Sequence, residues 1–255
     1  MPIEFTDMKD KTIVVWFSCG AASAVASKIV VDTYAKDNKI RVVNNPIAEE
    51  HPDNQRFLKD VEDWIGIPIE TATNKKYPKA SCVDVWNDRK YMSGVSGAPC
   101  TYELKKKARQ EWEKENHHDF LVLGFTSDEK QRYERFKLNE RDNILPVLID
   151  AKVTKSDCYS ILTKSGIDLP MIYKLGYPNA NCIGCVKATS VTYWNHVRKV
   201  HPEVFKQRAE QSRKIGCKLT RSSGKRIFLD ELSPEAKGRP LKNLDFECGI
   251  FCDIK

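Results

Sequence analysis

Residues 13–23, Ile-Val-Val-Trp-Phe-Ser-Cys-Gly-Ala-Ala-Ser, constrain this chain more than any other stretch. Five consecutive apolar residues, Ile13 to Phe17, read as a buried strand. The small residues Ser18, Gly20, Ala21, Ala22 and Ser23 then open into a helix with Val25, Ile29 and Val30 at apolar spacing. Such a strand-turn-helix suits a phosphate. The helix start offers backbone N–H groups with no intrahelical acceptor, its dipole favours an anion, and side chains without bulk let a phosphate reach the backbone. Ser18 and Ser23 add hydroxyl donors. An ordinary strand-to-helix turn without a ligand has a similar composition, so this stretch alone leaves both readings open.

The pattern continues as a parallel sheet. Ile40 to Val43 reads as a second strand, stopped by Asn44-Asn45-Pro46; Phe57, Leu58, Val61 and Trp64 recur at helical spacing up to Gly66; Ile67 to Glu70 returns as a third strand. Phe120 to Gly124 and Pro146 to Ile149 complete a predicted five-stranded, mostly parallel sheet with helices on both faces. This α/β domain is expected over residues 1–150. Residues 151–255 read as a small, helical, cysteine-rich region with a hairpin around Ser222-Ser223-Gly224-Lys225. Ligands on parallel sheets sit at the carboxyl ends of strands, so the acidic loop after strand two shares the cradle's crevice. Its Glu49, Glu50 and Asp53 admit a magnesium ion, an adenosine ribose or plain solvent.

No apolar run approaches the roughly 20 residues that cross a bilayer, and Glu4, Asp7 and Asp10 do not resemble a signal peptide. A cytoplasmic protein without a membrane partner is expected. Its nine cysteines then call for chemistry other than a disulfide framework. Cys19, Cys82, Cys158 and Cys217 read as small hydrophobes, with Cys19 inside the cradle. The other five sit in suggestive settings. Cys100 opens a basic helix, where a thiolate is favoured. Cys182-Ile183-Gly184-Cys185 lies in a Pro/Asn-rich loop, as a metal knuckle requires, with a thioredoxin-like redox pair as the rival reading. Two thiolates do not complete a tetrahedral site; Cys100 and one tail cysteine, Cys248 or Cys252, would supply the rest. Arg132 and Arg135, after the fourth strand, are candidates for forked contacts to phosphate or sulfate oxygens.

The cradle is not a Walker loop, since no Gly-Lys-Ser/Thr follows at the required spacing. Ser18 to Ser23 resembles instead the PP-loop of adenine nucleotide alpha hydrolase-like (HUP-type) proteins, usually Ser-Gly-Gly-x-Asp-Ser, with Cys19 for the first Gly and Ala22 for the Asp. Cys100-Thr101-x-x-Leu104-Lys105, the segment Gly124 to Arg135, the Cys-x-x-Cys and Glu247-Cys248-Gly249-Ile250 follow in the order found in the phosphoadenylyl-sulfate (PAPS) reductase family. In that family the last motif continues with His; here Phe251 and Cys252 follow.

The resemblance implies a PAPS/APS reductase-like oxidoreductase of sulfur metabolism. Ser18, Cys19, Gly20, Ala21, Ala22 and Ser23 would bind the adenine nucleotide, with Arg132 and Arg135 neutralising its anionic end. Cys248 would attack sulfur to form an S-sulfocysteine, and a thiol reductant such as thioredoxin or glutaredoxin would be the partner. It also implies a [4Fe-4S] cluster, with zinc as alternative, on Cys100, Cys182, Cys185 and Cys252. Two other readings remain: an ATP-dependent PP-loop sulfurtransferase acting on tRNA or DNA bases with an iron-sulfur cluster, and a non-catalytic nucleotide-binding protein with a structural metal.

Overall fold

The computed structural model describes residues 8–241; Cys248 and Cys252 lie outside the described residues. The order is β1 (Thr12–Phe17), α1 (Ala21–Tyr34), β2 (Lys39–Asn44), α2 (Asn54–Ile65), β3 (Ile69–Thr71) and α3 (Cys82–Arg89). A π-helical segment (Thr101–Lys107) runs into α4 (Ala108–Glu115), followed by β4 (Phe120–Val122), α5 (Lys130–Asn139), β5 (Ile144–Leu145), α6 (Val147–Asp150) and α7 (Lys155–Lys164). Then come α8 (Met171–Lys174), α9 (Val191–Val200), α10 (Pro202–Ile215), β6 (Thr220–Ser222) and β7 (Lys225–Ile227). Two compact units interleave along this order. The expected boundary at residue 150 is therefore drawn differently by the fold.

One unit comprises the chain up to Pro46, Pro52–Ala72 and Gln110–Pro170. Its sheet has the order β3-β2-β1-β4-β5, and each pairing is parallel. The predicted α/β class is thus what the chain adopts. β1 is central, and Ile13 to Phe17 are at most 1 % exposed, each such side chain contributing roughly 1.5–3 kcal/mol by burial. Alternation along β1 sends neighbouring side chains to opposite faces. Trp16 meets Trp112 of α4 edge-on at 5.4 Å between ring centroids, and Phe17 stacks on Phe57 of α2 at 6.1 Å. Helices therefore cover both faces. The last strand is Ile144–Leu145 rather than Pro146 to Ile149. Pro146 has no N–H to give a ladder, so the chain leaves the sheet there and Val147–Asp150 makes one helical turn.

The other unit comprises Ile47–His51, Thr73–Arg109 and the described chain from Met171 onward. It is helical, with the antiparallel hairpin β6–β7. Its core gathers Val85, Trp86, Leu104, Ile172, Tyr193 and Trp194. Among the described residues, no helix is long and apolar enough to cross a membrane.

Candidate functional site

The cradle forms where the sheet changes direction. β1 and β4 are neighbours at which the strand order reverses, the position at which parallel sheets take ligands beyond their carboxyl ends. Between β1 and α1, Cys19 adopts a left-handed backbone, φ 53°, and Gly20 is extended as the N-cap. The left-handed conformation is what glycine supplies at ease; for another residue it costs roughly 1–2 kcal/mol. The Cys19 side chain is 3 % exposed, and its Sγ accepts from Asn44 Nδ2 at 3.5 Å, so the thiol is turned into the fold while the residue's backbone shapes the turn.

Ser23 is likewise turned inward. Its Oγ accepts from Ser18 N (3.1 Å) and Ser18 Oγ (3.2 Å) and donates to Gly20 O (2.9 Å). Ser23 thus braces the loop, and the groups left to meet an anion are the exposed Ser18 and the backbone N–H groups of the helix start. Sequence reasoning missed Gly124 as part of this turn. A Cβ there would lie 2.9 Å from Ser23 N and 3.1 Å from the Ala22 carbonyl carbon, so only a glycine after β4 lets its backbone lie against the first turn of α1.

Arg132 and Arg135 follow on α5. The Arg132 guanidinium donates to Glu129 and lies over the Phe125 ring, 5.4 Å from its centroid; Arg135 is exposed. Each of the three loop carboxylates has a partner within the protein. Glu49 accepts from Ser81 Oγ (2.9 Å), Cys82 N (2.8 Å) and Val83 N (3.3 Å) at the start of α3. Glu50 pairs with Lys105 at 3.3 Å, both side chains 7 % exposed, and Asp53 holds Arg56 at 2.7 Å.

The helical unit holds the second candidate site. Cys82, Cys100, Cys182 and Cys185 line a single cavity together with Trp86 and Lys105. Cys82 is the first residue of α3, behind the cap Ser81, whose side chain accepts from Asp84 N. Its thiol is in hydrogen-bond contact with those of Cys100 and Cys182. These contacts, and burial after them, push the Cys82 thiol well above its ordinary value. Cys185 N donates to Tyr193 Oη at 2.8 Å, and Ile183 N donates to Glu49 O at 2.9 Å, which fixes the Cys-x-x-Cys turn from both sides.

Gly184 gives that turn φ +67°, and a Cβ on it would lie 3.0 Å from Val204 Cγ1 and 3.2 Å from Arg208 Cγ. No other residue type fits as easily. Cys100 stands at the head of the π-helical segment, a geometry frequent at functional sites. Of the three described cysteines expected at the metal, all face this cavity, and Cys82 joins them although its sequence setting suggested packing alone. Its only local signal was Ser81, an N-cap that places the thiol at a helix start. Cys158 lies elsewhere, fully buried, its thiol pushed up to about 12 chiefly by burial.

In number and kind, the four cysteines lining this cavity match the donors of zinc and of [4Fe-4S] sites alike. Among the described residues, no group of three or more His, Cys, Asp or Glu is placed so that it could hold a metal ion as it stands. The described cysteines form no disulfide.

No protein-family model matches the chain, and no curated protein matches it. Solved structures do. One is a PAPS reductase from Candida auris in complex with phosphate, at 12 % identity and a TM-score of 0.46, covering 67 % of this chain and 80 % of that one. Another is the U34-tRNA thiolase NcsA from Methanococcus maripaludis with its [4Fe-4S] cluster, at 11 % identity and a TM-score of 0.46, covering 82 % of this chain and 70 % of that one.

Proposed function

We propose that this chain is a sulfonucleotide reductase-like enzyme, carrying an adenine nucleotide in the Ser18–Ser23 cradle and a thiolate-bound metal, a [4Fe-4S] cluster ahead of zinc, on Cys82, Cys100, Cys182 and Cys185. The observation that carries this reading is the four-thiol cavity. Four thiolates close the coordination of either metal without drawing on the tail, which removes the need for Cys252 as a ligand and leaves Cys248 for chemistry. A cluster that delivers sulfur to a base would instead need an iron open to exchange. Ala22, standing where ATP-cleaving PP-loops keep an acidic residue, points the same way.

In this proposal the backbone N–H groups at the start of α1 and the Ser18 hydroxyl hold the phosphate or sulfate end, with Arg135 and Arg132 supplying positive charge. A metal held by Cys82, Cys100, Cys182 and Cys185 would supply fixed charge and a rigid frame for the helical unit. The Cys248 thiolate attacks the sulfur of the sulfonucleotide; the S–O bond to the nucleotide phosphate breaks and adenylate leaves with its electron pair. The S-sulfocysteine so formed is cleaved by a dithiol reductant, giving back the Cys248 thiol, sulfite and the reductant's disulfide. Thioredoxin and glutaredoxin have the required chemistry, and a reducing cytoplasm keeps these thiols reduced.

The test is incubation of anaerobically purified protein with PAPS or APS and reduced thioredoxin. Release of sulfite and an adenosine phosphate, lost in Cys248→Ser, is the expected result. ATP-to-AMP turnover that depends on a tRNA or DNA substrate would replace this reading with base thiolation. Nucleotide binding without turnover of either kind would make the protein a non-catalytic binder. The same preparation's absorption separates the metals, since a broad brown shoulder marks iron and sulfide whereas zinc is silent.

A further inference from the structure

The four-thiol cavity has a second kind of wall. Trp86 lines it and is 3 % exposed, and its indole Nε1 is buried without a hydrogen-bond partner among the described residues. Leaving a buried N–H unsatisfied costs roughly 1–3 kcal/mol, so proteins seldom keep one unless an acceptor arrives. Position on α3 says where that acceptor belongs. Trp86 follows Cys82 by four residues, so the two share one face of the helix, the face that meets the cavity.

The ring is also held in place. The Arg208 guanidinium lies over it, 4.8 Å from the centroid, and Arg208 itself is 2 % exposed, with its Nε donating to Gly184 O at 3.4 Å. A single cation therefore ties the indole to the turn between Cys182 and Cys185. Phenylalanine would fill most of the same space; only the indole brings a donor.

We infer that the Trp86 indole N–H is a hydrogen-bond donor to a sulfur of the metal group held by Cys82, Cys100, Cys182 and Cys185. This rests on the proposed metal site and adds a positioning and tuning residue to it. Sulfur bound to a metal carries more negative charge than a thiol and is the better acceptor, so the N–H is satisfied when metal is present. Hydrogen bonds to sulfur stabilise the more negative state of a cluster and are among the protein's levers on its reduction potential. They also lower the sulfur lone pairs and so raise the energy of sulfur-to-metal charge transfer.

The experiment compares wild type with Trp86→Phe, both loaded with iron and sulfide and, separately, with cobalt(II) as a probe of a zinc-type site. At equal metal content per chain, the variant is expected to show its sulfur-to-metal absorption at longer wavelength. If the iron form is reducible, its midpoint potential is expected to be more negative. Should the variant take up less metal, 3-benzothienylalanine at position 86 keeps the bicyclic ring and removes only the N–H, and the same shifts are expected of it. Wild type that binds neither metal would overturn the metal site. Wild type that binds metal with spectra and potential unchanged in the benzothienyl protein would overturn the role of Trp86 alone.

Discussion

At the scale of single residues, what distinguishes Cys82 from Cys158 is company, not burial. Both are buried, and both thiols are pushed above the ordinary range, but Cys158 owes this chiefly to desolvation whereas Cys82 owes it first to two neighbouring thiols. A thiol raised by burial alone reads as a packing group, whereas one set among other thiols has the company that the proposed metal site requires. Cys82→Ala is therefore expected to lower metal content per chain well below that of wild type, while Cys158→Ala leaves it unchanged and costs only packing stability. Metal analysis of the two purified variants reads the difference, and equal metal in both would remove Cys82 from the site. The reason Cys82 was illegible in the sequence follows from the same contrast. Cys182 and Cys185 announce a site by their spacing, but Cys82 stands 18 positions from Cys100 and about a hundred from the Cys-x-x-Cys, a separation that only the folded chain closes. The cradle was easier to read because its residues are consecutive. What the sequence could not tell there was direction: Ser23 and Cys19 were candidate ligand groups by type, and the fold turns both inward to brace the loop.

Elements carry the next level of constraint, and the Cys-x-x-Cys turn shows it. Gly184 and Gly216 both have left-handed backbones, φ +67° and +78°, but a Cβ at Gly216 meets nothing within 4 Å whereas one at Gly184 runs into Val204 and Arg208. Gly216→Ala should cost about 1 kcal/mol from backbone strain alone and leave metal content as it was. Gly184→Ala adds overpacking of about 1–3 kcal/mol and tilts the two ligands it joins, so loss of metal is expected as well; thermal melts and metal analysis separate the two effects. The junction of α9 and α10 sets a pH dependence. His196, whose Nε2 is 2.9 Å from Leu175 O, and His201, whose Nδ1 is 2.8 Å from Tyr177 Oη, both have pKa values lowered chiefly by burial. The unfolded chain, with histidine near about 6.5, then binds protons before the folded one does. Stability is full above that value and falls as pH drops through it toward the folded-state pKa values. Melting temperatures between pH 7.5 and 5 should fall in wild type and fall less in His196→Gln; parallel curves would contradict the assignment. Strands and helices were mostly legible, because Ile13–Phe17 and the capped α10 follow periodicity and end signals. The fifth strand was misplaced because Val147 to Ile149 are as apolar as a strand, and the missing N–H of Pro146 outweighed that pattern.

Over the whole molecule, the two units are not consecutive in sequence, and this decides what can be cut from what. A change of pattern near residue 150, from alternating strands and helices to short helices, suggested a boundary there. The fold instead gives the helical unit Thr73–Arg109 and Ile47–His51 in addition to the chain after Met171. Composition cannot reveal such an insertion, because nothing local in residues 74–99 says which core that stretch joins. The consequence falls on the proposed metal site, since Cys82 and Cys100 come from the inserted stretch while Cys182 and Cys185 come from the second half. Glu49, on the shortest inserted piece, uses its carboxylate to hold the N–H of Cys82 and its backbone carbonyl to hold that of Ile183, so one residue fixes both cysteine-bearing segments. A fragment of residues 151–255 would carry two of the four ligands, no Glu49 and no α3. Titrated with cobalt(II), the full chain is expected to show the intense absorption of a tetrathiolate site at one metal per chain. The fragment should bind more weakly and without that spectrum, because two cysteines on one turn neither close a tetrahedral shell nor find the support that fixes it. A fragment that matched the full chain in both stoichiometry and spectrum would mean that the ligands lie in the second half alone, and the four-cysteine cavity would then be a packing feature.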